Sequence, residues 1–464
     1  PVVGSDLQRL ATLVGTNELL QTGDRVRLHG LSSTLELEGR EGRLVRHLAF
    51  SGFCLVQLES GEKVRIRKEK LRSLPQNLVS APRGKPSLEG TDLSISVDVG
   101  SIDAPPTRVF ICGGHNGSNP VADAWCFCPA IWGWRELPPM ATPRCMATVA
   151  AMDGHLYVCG GLRNRAMRSA ERLDPQAGEW LALPPMRSER FSAAAAVLGG
   201  RLYICGGRTL ATGPDSLTSA ERFDPGPGEW QELPAMREGR FLACAQGRCG
   251  RLYVCGGCHI PAMVEARCLV SGTSDASRWI KPDILDTVET FLPGFGWQAM
   301  PSLAQPRSDP ASACSARYIY LCGGSDGTRA LDSVERWDLV GRAWETLPWM
   351  SERRMSCMAA TCDAGRLFVC GGHDGCRTLA SLECFDPSSG SWGLLKSMRW
   401  SRASAGITLA AGRLLVFGGH EDDGGGGKVI RRSAECFDLE SGLWEAAPPM
   451  PAALTELGSS CVPA

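Results

Sequence analysis

Along most of the chain, short apolar runs are broken at close intervals by glycine, proline or aspartate. Residues 190–236 show the unit clearly. Residues 191–198 (FSAAAAVL) are a run of small apolar side chains, turned by Gly199-Gly200. Residues 201–205 (RLYIC) are rich in strand-forming types and end at Gly206-Gly207. After a polar loop, residues 219–223 (SAERF) alternate and stop at Asp224-Pro225. Beyond Gly228, residues 229–233 (EWQEL) give one more run, closed by Pro234 and Met236. Runs of this length bounded by turn residues predict four short strands, hence one antiparallel sheet. Such a sheet cannot cover both of its own faces.

The unit recurs seven times, signed by Gly113-Gly114, Gly160-Gly161, Gly206-Gly207, Gly256-Gly257, Gly323-Gly324, Gly371-Gly372 and Gly418-Gly419. The spacings are 47, 46, 50, 67, 48 and 47 residues. A tryptophan follows each pair: Trp134, Trp180, Trp230, Trp297, Trp344, Trp392 and Trp444. A period near 50 with a diglycine and a late Trp predicts blades rather than helical repeats. The diglycine suits close backbone approach or φ > 0, and the indole has the area to seal one sheet on the next. Stacked radially, the sheets cover one another as a propeller.

These residues resemble the kelch family. Its pattern stands here as RLYICGG, SAERFDP and EWQELPAM in one repeat and as YIYLCGG, SVERWDL and AWETLPWM in another, across residues 105–464. The resemblance implies an all-β, seven-bladed kelch-type β-propeller. It also implies a protein-binding scaffold, and many relatives serve as substrate receptors in ubiquitin ligation through a separate BTB, BACK or F-box segment. Other kelch-like proteins are enzymes, galactose oxidase-like oxidoreductases and sugar isomerases among them, so a catalytic central pocket is the alternative. The chain begins at Pro1 rather than Met, which leaves open an upstream domain or targeting segment.

Before Val109 the first repeat has only the Pro-rich SIDAPPT, with no copy of the small-residue strand. After the last Trp, residues 454–462 (LTELGSSCV) copy that strand and nothing follows. The C-terminal strand is therefore expected to complete blade 1, closing the ring without a free edge. An arginine opens the first strand of the other six: Arg144, Arg190, Arg240, Arg307, Arg354 and Arg402. A ring of Arg around one mouth would suit an acidic or phosphorylated peptide. The third strand, however, carries Glu171, Glu221, Glu289, Glu335, Glu383 and Glu435 at one position. Blade 1 has Trp125 there and, with the closure above, Leu454 in place of Arg. Loss of both partners together is what a buried Arg–Glu pair within each blade predicts.

The loops after the diglycines vary, and variable loops on a repeated scaffold usually carry recognition. Candidate binding residues there are Arg163, Arg165, Arg168, Arg208, Arg329 and Arg377, interspersed with acidic residues. The fourth loop holds about twenty extra residues including Met263, Trp279 and Ile280, readable as a partner-binding lid or as a loop folded on its own apolar residues. The seventh, EDDGGGGKVIRR, reads as flexible. The expected ligand is a protein or peptide on this loop face. His115, His259, His373 and His420 sit just past diglycines, where local turns account for them better than a metal does. The pair Cys255 and Cys258 is a weak zinc signal. No P-loop, H-E-x-x-H or nucleophile elbow occurs, and no catalytic residue, metal or cofactor is expected.

Composition narrows the partners. The formal net charge is -1, with 43% hydrophobic and 21% charged residues, so no overall field draws the chain to nucleic acid or a membrane. No apolar run is long enough to span a bilayer. Six of the 21 cysteines fill one repeat position, before the diglycine: Cys112, Cys159, Cys205, Cys255, Cys322 and Cys370. Neighbouring blades hold such positions too far apart to bridge. They read as small buried hydrophobes in a reducing, intracellular and most simply cytoplasmic setting.

The N-terminal piece has a different character. Residues 1–21 include a short amphipathic pattern interrupted by Gly15, expected as a helix. Residues 22–75 contain four or five short strand-like runs and resemble a small SH3-like barrel, through GDRVRLHGL and the glycine spacing. Eleven Lys/Arg against seven Asp/Glu in that stretch could touch anionic partners, or be the solvated face of a half-buried sheet. Residues 76–104 read as a linker.

Overall fold

The computed structural model describes residues 25–28, 41–48, 53–58, 63–67, 71–73, 107–128, 132–210, 216–260, 282–362, 364–410, 412–422, 427–456 and 458–463. The chain divides into two compact units, Pro1–Pro105 and Pro106–Ala464. The expected helix at 1–21 and linker at 76–104 lie outside the described residues. In the first unit five short strands, Arg25–Leu28, Glu41–Leu48, Phe53–Leu58, Lys63–Arg67 and Leu71–Ser73, form one antiparallel sheet. The first strand pairs with both the second and the fifth.

The second unit is the propeller. Seven four-stranded antiparallel sheets are formed among its described residues. Blade 3 represents them, with Ala194–Leu198, Arg201–Cys205, Ala220–Asp224 and Glu229–Glu232 in sequence order. The first strand starts later than the apolar run at 191–198 suggests. Ser192 takes φ 51°, so the chain turns at Phe191 and Ser192 before it extends. Second strands such as RLYIC are buried apart from their first residue, whereas fourth strands such as EWQE are largely exposed. Burial is therefore greatest in the second strands and least in the fourth, and apolar clusters fill the seams between successive blades.

The expected closure is present. Gly458–Pro463 pairs antiparallel with Thr107–Cys112, Gly458 opposite Cys112, as the first strand of blade 1. This strand is shorter than the run at 454–462, because Leu454 and Thr455 belong to the entry loop and Glu456 has φ 53°.

Each repeat signature has a physical task. Gly206 and Gly207 have φ of 64° and 96°. A Cβ on Gly206 would collide with the carbonyl oxygen of Arg240, at the entry to the next blade. The Gly207 N–H donates to that same carbonyl at 2.8 Å. The diglycine is thus a backbone-to-backbone weld between neighbours. The tryptophans make a second weld at the outer rim. The indole Nε1–H of Trp180 donates to Pro138 O of the preceding blade (2.7 Å), as Trp230 does to Pro184 O (2.8 Å). At the ring closure Trp134 donates to Pro448 O (2.8 Å).

Candidate functional site

The six arginines at the blade entries are not a receptor. Arg190 is 1% exposed, and its guanidinium donates to Glu221 Oε1 (2.6 Å), Gly206 O (2.6 Å) and Ser219 O (3.1 Å). The other five repeat this at 2.6–2.8 Å from their glutamates, and all five are fully buried. The glutamate's second oxygen accepts a backbone N–H from the chain leaving the previous blade, Arg187 N–H for Glu221 (2.7 Å). Every charge is paired and hydrogen-bonded, the condition under which buried ions are tolerated. In blade 1, Leu454 and Trp125 replace the pair and share one apolar cluster, at 0% and 4% exposed. The Gly419 N–H still finds its carbonyl, that of Leu454 (2.8 Å).

Two residues after each arginine, and after Leu454, the backbone turns left-handed. Met146, Ser192, Leu242, Asp309, Ser356, Ser404 and Glu456 have φ between 50° and 53°. All seven line one axial cavity of about 810 Å³. Backbone bonds link four of the neighbouring pairs, as from Ser192 N–H to Met146 O (3.0 Å) and Ser404 N–H to Ser356 O (3.1 Å). A non-glycine residue in this conformation is unusual, and the conformation aims these side chains at the axis. Sequence reading misses this ring because its residue types share no property. The only signal is the fixed offset from the arginine.

Within the cavity, burial raises the Asp309 carboxyl, which accepts from Ser356 Oγ–H at 2.5 Å. Burial pushes the His420 imidazole down to about 4, with Lys428 adding repulsion and Nδ1 lying 3.0 Å from Thr455 Oγ1. His373 accepts the Gly375 N–H on Nδ1 (2.9 Å) and holds Asp422 at 2.7 Å from Nε2. Both of its nitrogens are therefore committed, as a turn residue and as a tie to blade 7. His115 accepts the Gly117 N–H in a similar local turn (3.0 Å).

The candidate arginines separate into two groups. Arg329 lies 3.4 Å from Asp326, and Arg377 lies 3.4 Å from Asp374 and 3.5 Å from Glu352. Their own loops already supply carboxylates. Arg163, Arg165 and Arg168 are exposed and line a cleft of about 1070 Å³ at the blade 2–3 loops, together with Arg187, Glu189 and Thr209. None of the three guanidinium groups has an acidic partner among the described residues. Arg208 lines the axial cavity and stacks over Phe241 (4.9 Å to the ring centroid) and Phe191 (5.7 Å). Met263, Trp279 and Ile280 of the fourth loop lie outside the described residues. The base of that loop is a short ribbon pairing Cys258–His259 with Asp283–Ile284. In the seventh loop His420–Asp422 pairs with Lys428–Ile430, and residues 423–426 between them lie outside the described residues.

The cysteines of the repeat are buried and free. Burial pushes the thiols of Cys159, Cys205 and Cys370 up to about 12, so they stay protonated and inert. Among the described residues no group of three or more His, Cys, Asp or Glu is placed to hold a metal ion. Among them too, no helix is long and apolar enough to cross a membrane.

The Kelch motif model matches residues 104–141, 143–187, 189–237, 306–351, 354–399 and 401–451, and the chain belongs to this family. Blade 4, with its long loop, lies outside the matched stretches. The chain is similar to human Kelch-like protein 33, 30% identical over 81 residues, covering 17% of this chain and 15% of that protein. It is also similar to human Kelch repeat and BTB domain-containing protein 13, 36% identical over 95 residues, covering 20% of this chain and 21% of that protein. Each alignment thus spans a small part of the relative. The solved structure of YjhT shares the fold, with TM-score 0.54 and 18% identity, covering 67% of this chain and 99% of that chain.

Proposed function

We propose that the propeller is a protein-recognition module whose docking face is formed by the loops after the diglycines of blades 2 and 3. The observation that carries this reading is the unpaired trio Arg163, Arg165 and Arg168 around one cleft. The six buried arginines, by contrast, are each paired with a glutamate. Exposed guanidinium groups left without carboxylates on a rigid scaffold fit a partner that brings its own. The broader role is substrate receptor or adaptor in ubiquitin ligation. It is supported by kelch membership and by a relative whose name joins kelch repeats to a BTB domain. The free, buried thiols fit a reducing compartment. The N-terminal sheet is read as the small SH3-like barrel, with its role left to the same partner assays.

The test is cross-linking mass spectrometry on the captured complex, with the triple variant Arg163→Gln, Arg165→Gln, Arg168→Gln as control. The expected result is cross-links at these loops and loss of the partner by the variant. Cross-links confined to the outer strands, or capture unaffected by the variant, would overturn the reading. Ubiquitin-ligase association is read separately, by stabilisation of the captured partner when this protein is depleted.

A second reading, a small-molecule enzyme working in the axial cavity, draws on one observation. Asp309 combines a raised carboxyl, a 2.5 Å hydroxyl partner and a place in the lining of that cavity. If an oxidoreductase or sugar-isomerase activity is found, Asp309→Asn should abolish it while partner capture persists.

A further inference from the structure

In the N-terminal sheet the strand register sorts charge by face. Residues directly opposite on paired strands share a face, and every second residue along a strand returns to it. Arg25 stands opposite Arg43, and Arg27 stands opposite Glu41 on one side and Arg72 on the other. Past the bulge between Leu44 and Arg46, Arg46 stands opposite Leu55 and so rejoins the same face. Leu55 in turn stands opposite Arg65, Gln57 opposite Lys63 and Phe53 opposite Arg67. One face of the five strands therefore carries eight basic positions and a single acidic one, Glu41.

The opposite face holds Val26, Leu44, Val56, Leu58, Val64 and Ile66. Val56 and Leu58 are buried, whereas Gln57 and Arg43 are exposed. The basic face is thus the outer one. An outer face that serves only for solvation intersperses both signs. Here six of the seven acidic residues between 22 and 75 fall outside the strands, and eight of the eleven basic ones fall within them. The formal net charge of -1 hides this face, because it is summed over the whole chain.

We infer that the outer face of the N-terminal sheet, where the register brings Arg25, Arg27, Arg43, Arg65, Arg67 and Arg72 together, binds the phosphate backbone of a single-stranded nucleic acid. Alternate residues of a strand lie about 6.7 Å apart and neighbouring strands about 4.8 Å apart. Cations repeated in two directions at that density offer many contacts to a chain of phosphates and little advantage to a lone carboxylate. Seven of the eight basic positions are arginine, the residue that binds phosphate bidentate and also stacks on bases. A charged membrane surface draws lysine and arginine alike and does not account for that choice. Phe53 and Leu55 fall on the same face, apolar positions that unpaired bases can cover and stacked duplex bases cannot. The inference is independent of the recognition reading of the propeller.

The experiment is fluorescence anisotropy on the full chain with labelled oligo-uridine and oligo-deoxythymidine. A duplex, oligo-glutamate and phosphatidylserine vesicles serve as competitors. The single strands should bind, with log affinity falling against log salt by about 0.7 per phosphate contacted, bounded at about 5.6 by eight cations. Arg65→Gln with Arg67→Gln should weaken binding about tenfold and reduce that slope by about 1.4. Arg65→Lys with Arg67→Lys, which keeps charge and fold, should restore the slope and part of the affinity. Arg163→Gln with Arg165→Gln removes as much charge from the propeller and should change neither. An equal loss in that propeller variant, or no loss in the sheet variant, overturns the assignment to this face. Failure of both oligonucleotides to bind, or stronger competition by oligo-glutamate or vesicles than by an unlabelled single strand, overturns the inference. Stronger competition by the duplex overturns the single-strand assignment. Partner capture through the propeller loops persists under each of these outcomes, so the recognition reading stands or falls by its own test.

Discussion

At the residue scale, the buried Arg–Glu pair decides how tolerant each blade is. In blade 3, Arg190 and Glu221 satisfy each other and also the diglycine carbonyl and the backbone of the neighbouring exit. Removing one partner leaves a buried charge uncompensated. Arg190→Leu should therefore cost about 3–5 kcal/mol. Adding Glu221→Leu should recover about 1–3 kcal/mol of that, because apolar replacement of the whole pair is far less costly. Urea unfolding of the two variants checks this, and a single variant within about 1 kcal/mol of wild type would reject it. Blade 1 is the natural precedent, with Leu454 and Trp125 packed where the ions would be. This pairing was legible in the chain because both substitutions fall in the same repeat. Arg208 between Phe191 and Phe241 was not, because its aromatic partners belong to loops distant in sequence. Nothing in the pattern distinguishes it from Arg329 or Arg377, which differ only in having carboxylates at hand.

At the scale of the element, most of the blade could be read from alternation and turn residues, and the remainder depended on loops. The strands of blade 3 follow the expected runs except at Phe191 and Ser192, where a left-handed residue makes the entry turn. That turn has no glycine to announce it. The flanks of the seventh loop, His420–Asp422 and Lys428–Ile430, pair as a ribbon that no alternation announces. The ribbon brings His420 against Thr455, so it braces the entry to the closing strand. His420 is held neutral by burial, with its pKa lowered to about 4 from 6.5. The sign follows from which state takes up the proton. Above pH ~6.5 both states are neutral there and the group is silent. As the pH falls toward 4, the unfolded chain binds a proton that the folded chain refuses, so stability is lost across that window. The loss should be on the order of 1–2 kcal/mol after allowance for partial solvent screening. His420→Gln should flatten this part of the stability–pH curve, measured by thermal unfolding against wild type. An equal slope in the variant would remove His420 from the account.

For the propeller as a whole, closure converts a row of sheets into a ring in which every blade is sealed on both sides. The seal at blade 1 comes from the far end of the chain. Gly458–Pro463 covers the edge of Thr107–Cys112, Leu454 joins the cluster of Ile111, Trp125 and Phe417, and Leu454 O takes the Gly419 N–H. Without this segment the edge of Thr107–Cys112 lies open, and open edges recruit strands from other molecules. The welds of the other blades are local in sequence, whereas this one spans the ring, so its loss should lower cooperativity rather than unfold one blade alone. Deletion of residues 452–464 should lower the thermal midpoint, broaden the transition and produce higher oligomers on size-exclusion chromatography. Hydrogen exchange should report first at Thr107–Cys112, with Arg251–Cys255 of blade 4 protected longest. A synthetic peptide of the deleted segment, added in trans, should restore both the monomer and the protection by pairing as the missing strand. A truncated chain with an unchanged midpoint, or a peptide without effect on a destabilised one, would show that the ring is held by its remaining seams and not by its closing strand.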